Sequence, residues 1–334
     1  MFGVSGPTRR RLVSAIRRSA DRPVLSTPGR AHDADVAQAA ASFVRTHAAH
    51  PGGLVIECPD YCLPPELISE FAASEYLPGD EVDVATVVTV VDAVSIRSDL
   101  TDAAPAGFSS RALVTVGQIE YASVLAVVNW EDLPRQELTS LLSMLSHLSP
   151  TATIRIDSSG TNLFDGDRRV YREGVTENPG WVRILNGELE SSCPFGAFAS
   201  TESTPTTISS LRYEQVRPLH PHRLARALHG LFEEHRCGRV IRSAGFCHFA
   251  TRHGVTAQWS QVGGVISFEP LARDGVDEEL LAVGQDIAFI GVQLDRSGLI
   301  DVLDACALRD DELRAGPAFW DRLTDPFPRW HEYG

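Results

Sequence analysis

Short unbroken apolar runs recur along the first half of the chain, each ending at a polar residue and each followed by a stretch of helical periodicity. Leu54 to Glu57, Val82 to Val91 (ending at Asp92), Val124 to Val128 and Thr153 to Ile156 read as strands. Their β-branched content and lack of alternation are those of strands buried on both faces. Between them, Asp33 to His50, a segment carrying Leu67, Ile68 and Phe71, and Ser109 to Ala122 read as helices. Another helix opens at Asp132 and Pro134, with Leu138, Leu141, Leu142, Leu145 and Leu148 recurring on one face. Strands alternating with helices predict an α/β domain with a parallel sheet covered on both faces.

The pattern then changes. Asp157 to Thr207 is rich in Gly, Ser, Thr and Pro with few periodic apolar positions, as in a linker or irregular excursion. Beyond it come a strand at Leu211 to Gln215, a helix from Pro221 to Arg236 and several short strands between Arg239 and Phe268. A strand at Ile287 to Leu294 and a helix at Gly298 to Leu308 follow. Strands without regular crossover helices predict an α+β second domain. The expected division is residues 1–160, a linker at 161–208, and 209–334.

Composition narrows the functional classes. The net charge of −14 argues against general DNA binding, which needs a basic face. All 30 basic residues are arginine, so any mechanism requiring a lysine is closed to this chain. Six cysteines at irregular spacing look like reduced thiols, not a disulfide framework. With no secretory h-region and no long apolar segment, the expected location is the cytoplasm, off the membrane.

Three stretches carry candidate chemistry. GVSGPTRRRLVSAIRRS has the outline of a glycine turn entering a helix; Leu12, Val13 and Ile16 form its apolar stripe, and Arg9, Arg10, Arg11, Arg17 and Arg18 much of the rest. Gly3 and Gly6 read as the relic of a phosphate loop. The turn between them is shorter than GxxxxGK[ST] requires, Pro7 lacks an N–H, and no lysine follows. The arginines read as a solvated face or as a contact surface for RNA or another acidic partner. In the second stretch, VLAVVNWED, Asn129 and Asp132 follow a central strand, where doubly wound sheets bind ligands. GTP-binding proteins carry Asn-Lys-x-Asp there; Trp130 stands in the lysine's place. In the third, Cys58 and Cys62 could offer two thiolates to a metal, with no nearby Cys or His to complete the set. Cys193, Cys237, Cys247, His248 and His253 are remote candidates. Cys306, His220, His222, Trp259, Trp320 and Trp330 read as structural.

RPLHPHRL at Arg217 to Leu224, RSAGFCHFATR at Arg242 to Arg252, QWSQVGG at Gln258 to Gly264, IAFIGVQLD at Ile287 to Asp295 and DPFPRW at Asp325 to Trp330 together resemble the C-terminal domain of the CobW-like family. VIECPDYCLPPELISEF, VVTVVDAVS and GQIEYASVLAVVNWED resemble segments of that family's P-loop GTPase domain, in shortened form. The resemblance implies a P-loop-type parallel sheet followed by a CobW C-terminal domain, GTP binding, and handling of zinc, cobalt or other metals. The chain departs from the family where it lacks the GxxGxGKT loop and the Cys-x-Cys-Cys metal motif.

These departures imply a protein that has lost GTP hydrolysis and acts by binding a protein partner in zinc or metal homeostasis. Some actinobacterial relatives look like factors recruiting a hibernation protein to ribosomes under zinc limitation, so the ribosome is one expected partner. The alternative is a metallochaperone binding zinc through Cys58 and Cys62, with residual GTP binding. No resident cofactor and no catalytic residue are expected in the first reading; zinc and GTP belong to the second.

Overall fold

The computed structural model describes residues 1–19, 22–27, 33–47, 50, 53–73, 84, 86–100, 111–156, 179–188, 208–273 and 283–330. Two compact units divide the chain, residues 1–179 and 180–334. Cys193 and most of the 161–208 excursion lie outside the described residues.

In the N-terminal unit, α1 (Gly6–Ser19) is followed by β1 (Val24–Ser26), α2 (Asp33–His47), β2 (Val55–Glu57), α3 (Pro64–Ala73) and β3 (Val88–Asp92). Then come α4 (Ile96–Asp99), α5 (Arg111–Glu120), β4 (Val124–Val128), α6 (Arg135–Leu148) and β5 (Thr153–Ile156). β1 pairs with β2, and β3 with β4 and β4 with β5, all parallel. Met1 and Phe2 join these two groups. Met1 N donates to Ile56 O at 2.6 Å and Met1 O accepts from Cys58 N at 2.9 Å, while Phe2 exchanges bonds with Val88 and Val90 on β3. The result is one parallel array in the order β1, β2, Met1–Phe2, β3, β4, β5. The apolar stripe of α1, Leu12, Val13 and Ile16, packs on Val88, Val90, Ala126 and Val128 of this array.

The long β-branched run shows why sequence pattern overestimates a strand. Among the described residues of the run, only Val88–Asp92 is regular strand, where the chain pairs with β4. Burial of both faces is otherwise as the run implies: Val88, Val90 and Val91 are all buried.

The C-terminal unit begins with α7 (Gly180–Leu185), followed by β6 (Ile208–Gln215), α8 (Pro221–Leu228), β7 (Arg239–Cys247), β8 (Val255–Val262), β9 (Val265–Arg273) and β10 (Gln285–Val292). α9 (Arg296–Asp304), α10 (Asp310–Ala315) and α11 (Pro317–Trp320) close it. The antiparallel sheet has the order β6, β10, β7, β8, β9. The region expected to hold several short strands forms instead three long ones. Gly263 and Gly264 supply the tight hairpin from β8 to β9, with Gly263 at φ 57°. At Gly245, φ 151°, a Cβ would lie 2.1 Å from Asp286 O, so β7 needs glycine where β10 passes. The helix expected to reach Arg236 ends as α-helix at Leu228 and continues as a π-turn over His229–Glu233.

Trp259, Phe289, Ile287 and Tyr213 from one sheet face meet Leu224, Leu228, Leu299 and Leu303 from α8 and α9. Cys237, Cys247 and Cys306 are part of this apolar cluster. Among the described residues, no helix is long and apolar enough to cross a membrane.

Candidate functional site

The carboxyl ends of Met1–Phe2, β2, β3 and β4 meet at one edge of the parallel sheet, where doubly wound folds bind ligands. The loop from Gly3 to Ser5, the turn Cys58 to Tyr61, Asp92, and Asn129 with Trp130 therefore come together. Gly3 and Asn129 both lie near Asp92 at this edge. Asp132 lies one turn further on and is exposed.

The chain from Gly3 into α1 occupies the strand-to-helix position of a phosphate loop. Counted from Gly3, four residues precede Thr8, which stands at the motif's second glycine, and Arg9 follows at the lysine position. The loop itself is short, because only Gly3 to Ser5 precede the helix. A phosphate cradle needs backbone N–H groups turned inward before the helix starts. Here α1 starts at Gly6, Arg9 N is already bonded to Ser5 O at 2.9 Å, and Pro7 has no N–H.

Arg9 is the centre of this closed loop. Its side chain is buried beside Glu57, with Nε 3.3 Å from Glu57 Oε1, and Nη1 donates to Gly3 O. The same Nη1 lies 2.7 Å from Asp60 Oδ1. Asp60 also sits against the start of α1: a Cβ at Gly6 would be 3.0 Å from its Oδ1. An internal carboxylate thus stands where a helix N-terminus would favour a bound anion. Glu57 is further held by Ser26 Oγ, which donates to Oε2 at 2.7 Å.

Asp92 ties the loops to one another. It accepts from Thr8 Oγ1 at 2.9 Å, Asn129 Nδ2 at 2.8 Å and Val94 N at 3.1 Å. Asn129 adopts φ 55°, a conformation Asn tolerates better than most residues, and its amide is turned to Asp92. On the other side, Arg111 bonds Asp99 at 2.6 Å and Val4 O at 3.2 Å. Gln118 donates to Asp60 O and Cys62 O, fixing the turn that carries Asp60. What remains among Gly3, Ser5, Asp92, Asp99 and Gln118 is a cavity of about 10 Å³. That is room for one water, not for a phosphate chain. As described, the loop offers no open cradle of inward-turned N–H groups to a nucleoside triphosphate.

Cys58 and Cys62 are both buried in an apolar cluster with Phe2, Val36, Ala37 and Leu67. Burial is the leading influence on Cys58 and pushes its thiol up from the ordinary range, against the formation of a metal-binding thiolate. Among the described residues, no group of three His, Cys, Asp or Glu side chains is arranged to hold a metal ion. Arg9 departs from the partner-facing role expected of the basic segment, because it is 3% exposed and paired internally. Arg10, Arg11, Arg17 and Arg18 are exposed. Asp60, Glu57 and Asp92 were not singled out from sequence as the partners of this loop. The available signal was the carboxylates at strand ends facing a loop whose lysine position is arginine.

Comparison with known proteins adds a family for the C-terminal unit. Residues 208–307 match the cobalamin synthesis protein cobW C-terminal domain, so that unit carries a CobW C-terminal domain. Among solved structures, the chain is similar to the Zn(II)-bound YjiA GTPase from E. coli at 16% identity, covering 92% of this chain and 97% of that one, with a TM-score of 0.37. A Zn(II)-bound triple mutant of YjiA GTPase is 14% identical, with 92% and 98% covered and a TM-score of 0.35.

Proposed function

We propose that this CobW-like protein has lost GTP hydrolysis and works by binding a protein partner in zinc or metal homeostasis. The observation that carries the reading is the Arg9 cluster: the residue at the lysine position is bonded to Gly3 O, Glu57 and Asp60, and Asp60 takes the anion's place at the start of α1. A nucleotide would have to displace two carboxylates from one guanidinium and unwind the first turn of the helix. Asn129 and Asp132 alone offer a base contact of a few kcal/mol at most, which corresponds to a Kd of about 1 mM or weaker. Purified protein is therefore expected to show no saturable Mg·GTP binding below about 1 mM and no phosphate release. Micromolar binding with turnover would remove the reading.

The finer version assigns the ribosome as the place of action, with the protein recruiting a hibernation factor when zinc is scarce. Its support is the family likeness together with the exposed arginines of α1. In zinc-depleted extract the protein should pellet with ribosomes; recovery entirely in the supernatant would dismiss this version and leave the nucleotide reading intact.

A further inference from the structure

We infer that the small cavity behind the Gly3 to Ser5 loop is a potassium site, held by Asp92, Asp99 and the side-chain oxygen of Gln118. All three residues line the cavity. Gln118 is 1% exposed, and its Nε2 is already committed to Asp60 O and Cys62 O at 3.0 and 2.8 Å. Its Oε1 is buried and accepts no hydrogen bond among the described residues. A buried acceptor left unmet is costly, so the fold points to a ligand that meets it.

The side chains of the lining offer acceptors, and their hydroxyl protons are spent. Ser5 Oγ donates to Thr8 Oγ1, Thr89 Oγ1 to Gln118 O and Thr115 Oγ1 to Arg111 O. Asp92 uses three of the roughly four acceptor positions of a carboxylate, on Thr8, Asn129 and Val94, and pairs with no cation among the described residues. Asp99 is buried and uses two, on Ser95 Oγ and Arg111 Nε. The nearby Arg9 is taken up by Glu57 and Asp60. Two carboxylates and the Arg111 guanidinium therefore leave one negative charge over, and a partly buried charge calls for a counter-charge. A neutral water can donate to Gln118 Oε1 but leaves that charge standing. A divalent ion overshoots it, and magnesium gives up its own waters reluctantly. A monovalent cation balances it. Potassium is close to a water molecule in size, which is what the cavity holds, and carboxylate and amide oxygens are hard donors suited to it. Sodium is smaller and would need the packed walls of β3 and α5 to move inward. The ion ties the loop ahead of α1 to the end of β3 and to α5, a role that does not depend on the partner-binding reading above.

The test is the thermal midpoint of the full chain in potassium chloride against choline chloride at equal ionic strength. Potassium should raise the midpoint saturably, by about 4–7 °C once it is present at about 20 times its Kd. Asp92→Asn should lose the potassium-specific part of that rise. Because this substitution also touches the bonds to Thr8 and Asn129, a second measurement uses the unaltered chain, crystallised from rubidium chloride. Rubidium stands in for potassium, and an anomalous peak among Asp92, Asp99 and Gln118 is expected. Equal midpoints in the potassium and choline salts, a rise produced by magnesium chloride alone, or no anomalous peak at that position would overturn the assignment.

Discussion

Replacing Arg9 with alanine is expected to destabilise the protein by about 3–5 kcal/mol, the usual cost of removing one partner from a buried ion pair. Arg9 and Glu57 side chains are 4% and 6% exposed, so solvent cannot replace the lost guanidinium at Glu57. Asp60 is different: its side chain is 52% exposed, and water can take over there. Most of the loss should therefore trace to Glu57, and Arg9→Met with Glu57→Met together should recover much of it, since an apolar pair needs no compensating charge. Chemical denaturation of the single and double variants measures this. A loss under about 1 kcal/mol for Arg9→Ala would mean that the pair is hydrated, and the loop not closed as described.

The second large effect is expected at Arg252 in the C-terminal unit. Its Nε and Nη2 bond the two oxygens of Asp325 at 2.8 and 3.2 Å, and Nη2 also donates to Phe327 O and Pro328 O. The guanidinium lies 4.3 Å from the Trp330 ring centroid, and Trp330 Nε1 donates to Phe268 O at 2.7 Å. This clamp holds the DPFPRW segment over Phe249 and Phe268. Arg252→Ala should cost about 2–4 kcal/mol, because both members of the pair are largely buried.

The clamp also has a definite pH dependence. Burial works to raise the Asp325 pKa, but bonds from Arg252, Thr251 and the Phe327 amide outweigh it and hold the carboxyl below its ordinary value. A depressed folded pKa means stability that is fully present above the unfolded carboxylate value, near 4, and is lost as pH falls through the folded one. The difference in thermal midpoint between the protein and Asp325→Asn should thus be large at neutral pH and shrink on acidification below about pH 4. An equal difference at both pH values would contradict the assignment.

Much of the architecture was legible because it follows from periodicity. Buried strands such as Val124–Val128 and one-faced helices such as Arg135–Leu148 announce themselves by apolar spacing. The sheet joint at Met1–Phe2 did not, since two residues carry no period and their role rests on backbone bonds to Ile56, Cys58 and Val88. The site was legible in its location and not in its wiring. Asn129 and Gly3 follow strand ends at one sheet edge, a placement that strand pattern conveys, whereas the meeting of Arg9 with Glu57 is a pairing 48 residues apart. Spacing between Gly3 and Gly6 suggested a loop cut short, and α1 starts at Gly6; what spacing did not suggest is the internal bonding of Arg9 to Glu57 and Asp60. The two cysteines at Cys58 and Cys62 suggested a metal pair by spacing, while their apolar neighbours Phe2, Val36 and Val87 come from elsewhere in the chain.

The central claim is that a self-supplied carboxylate and a buried arginine have taken the place of bound phosphate. It is tested most directly by calorimetric titration of the purified full chain with Mg·GTP. The account predicts no heat of binding up to about 1 mM nucleotide, with a base contact alone too weak to detect. Saturable one-to-one binding with a micromolar Kd would show that the loop opens readily, and would contradict it.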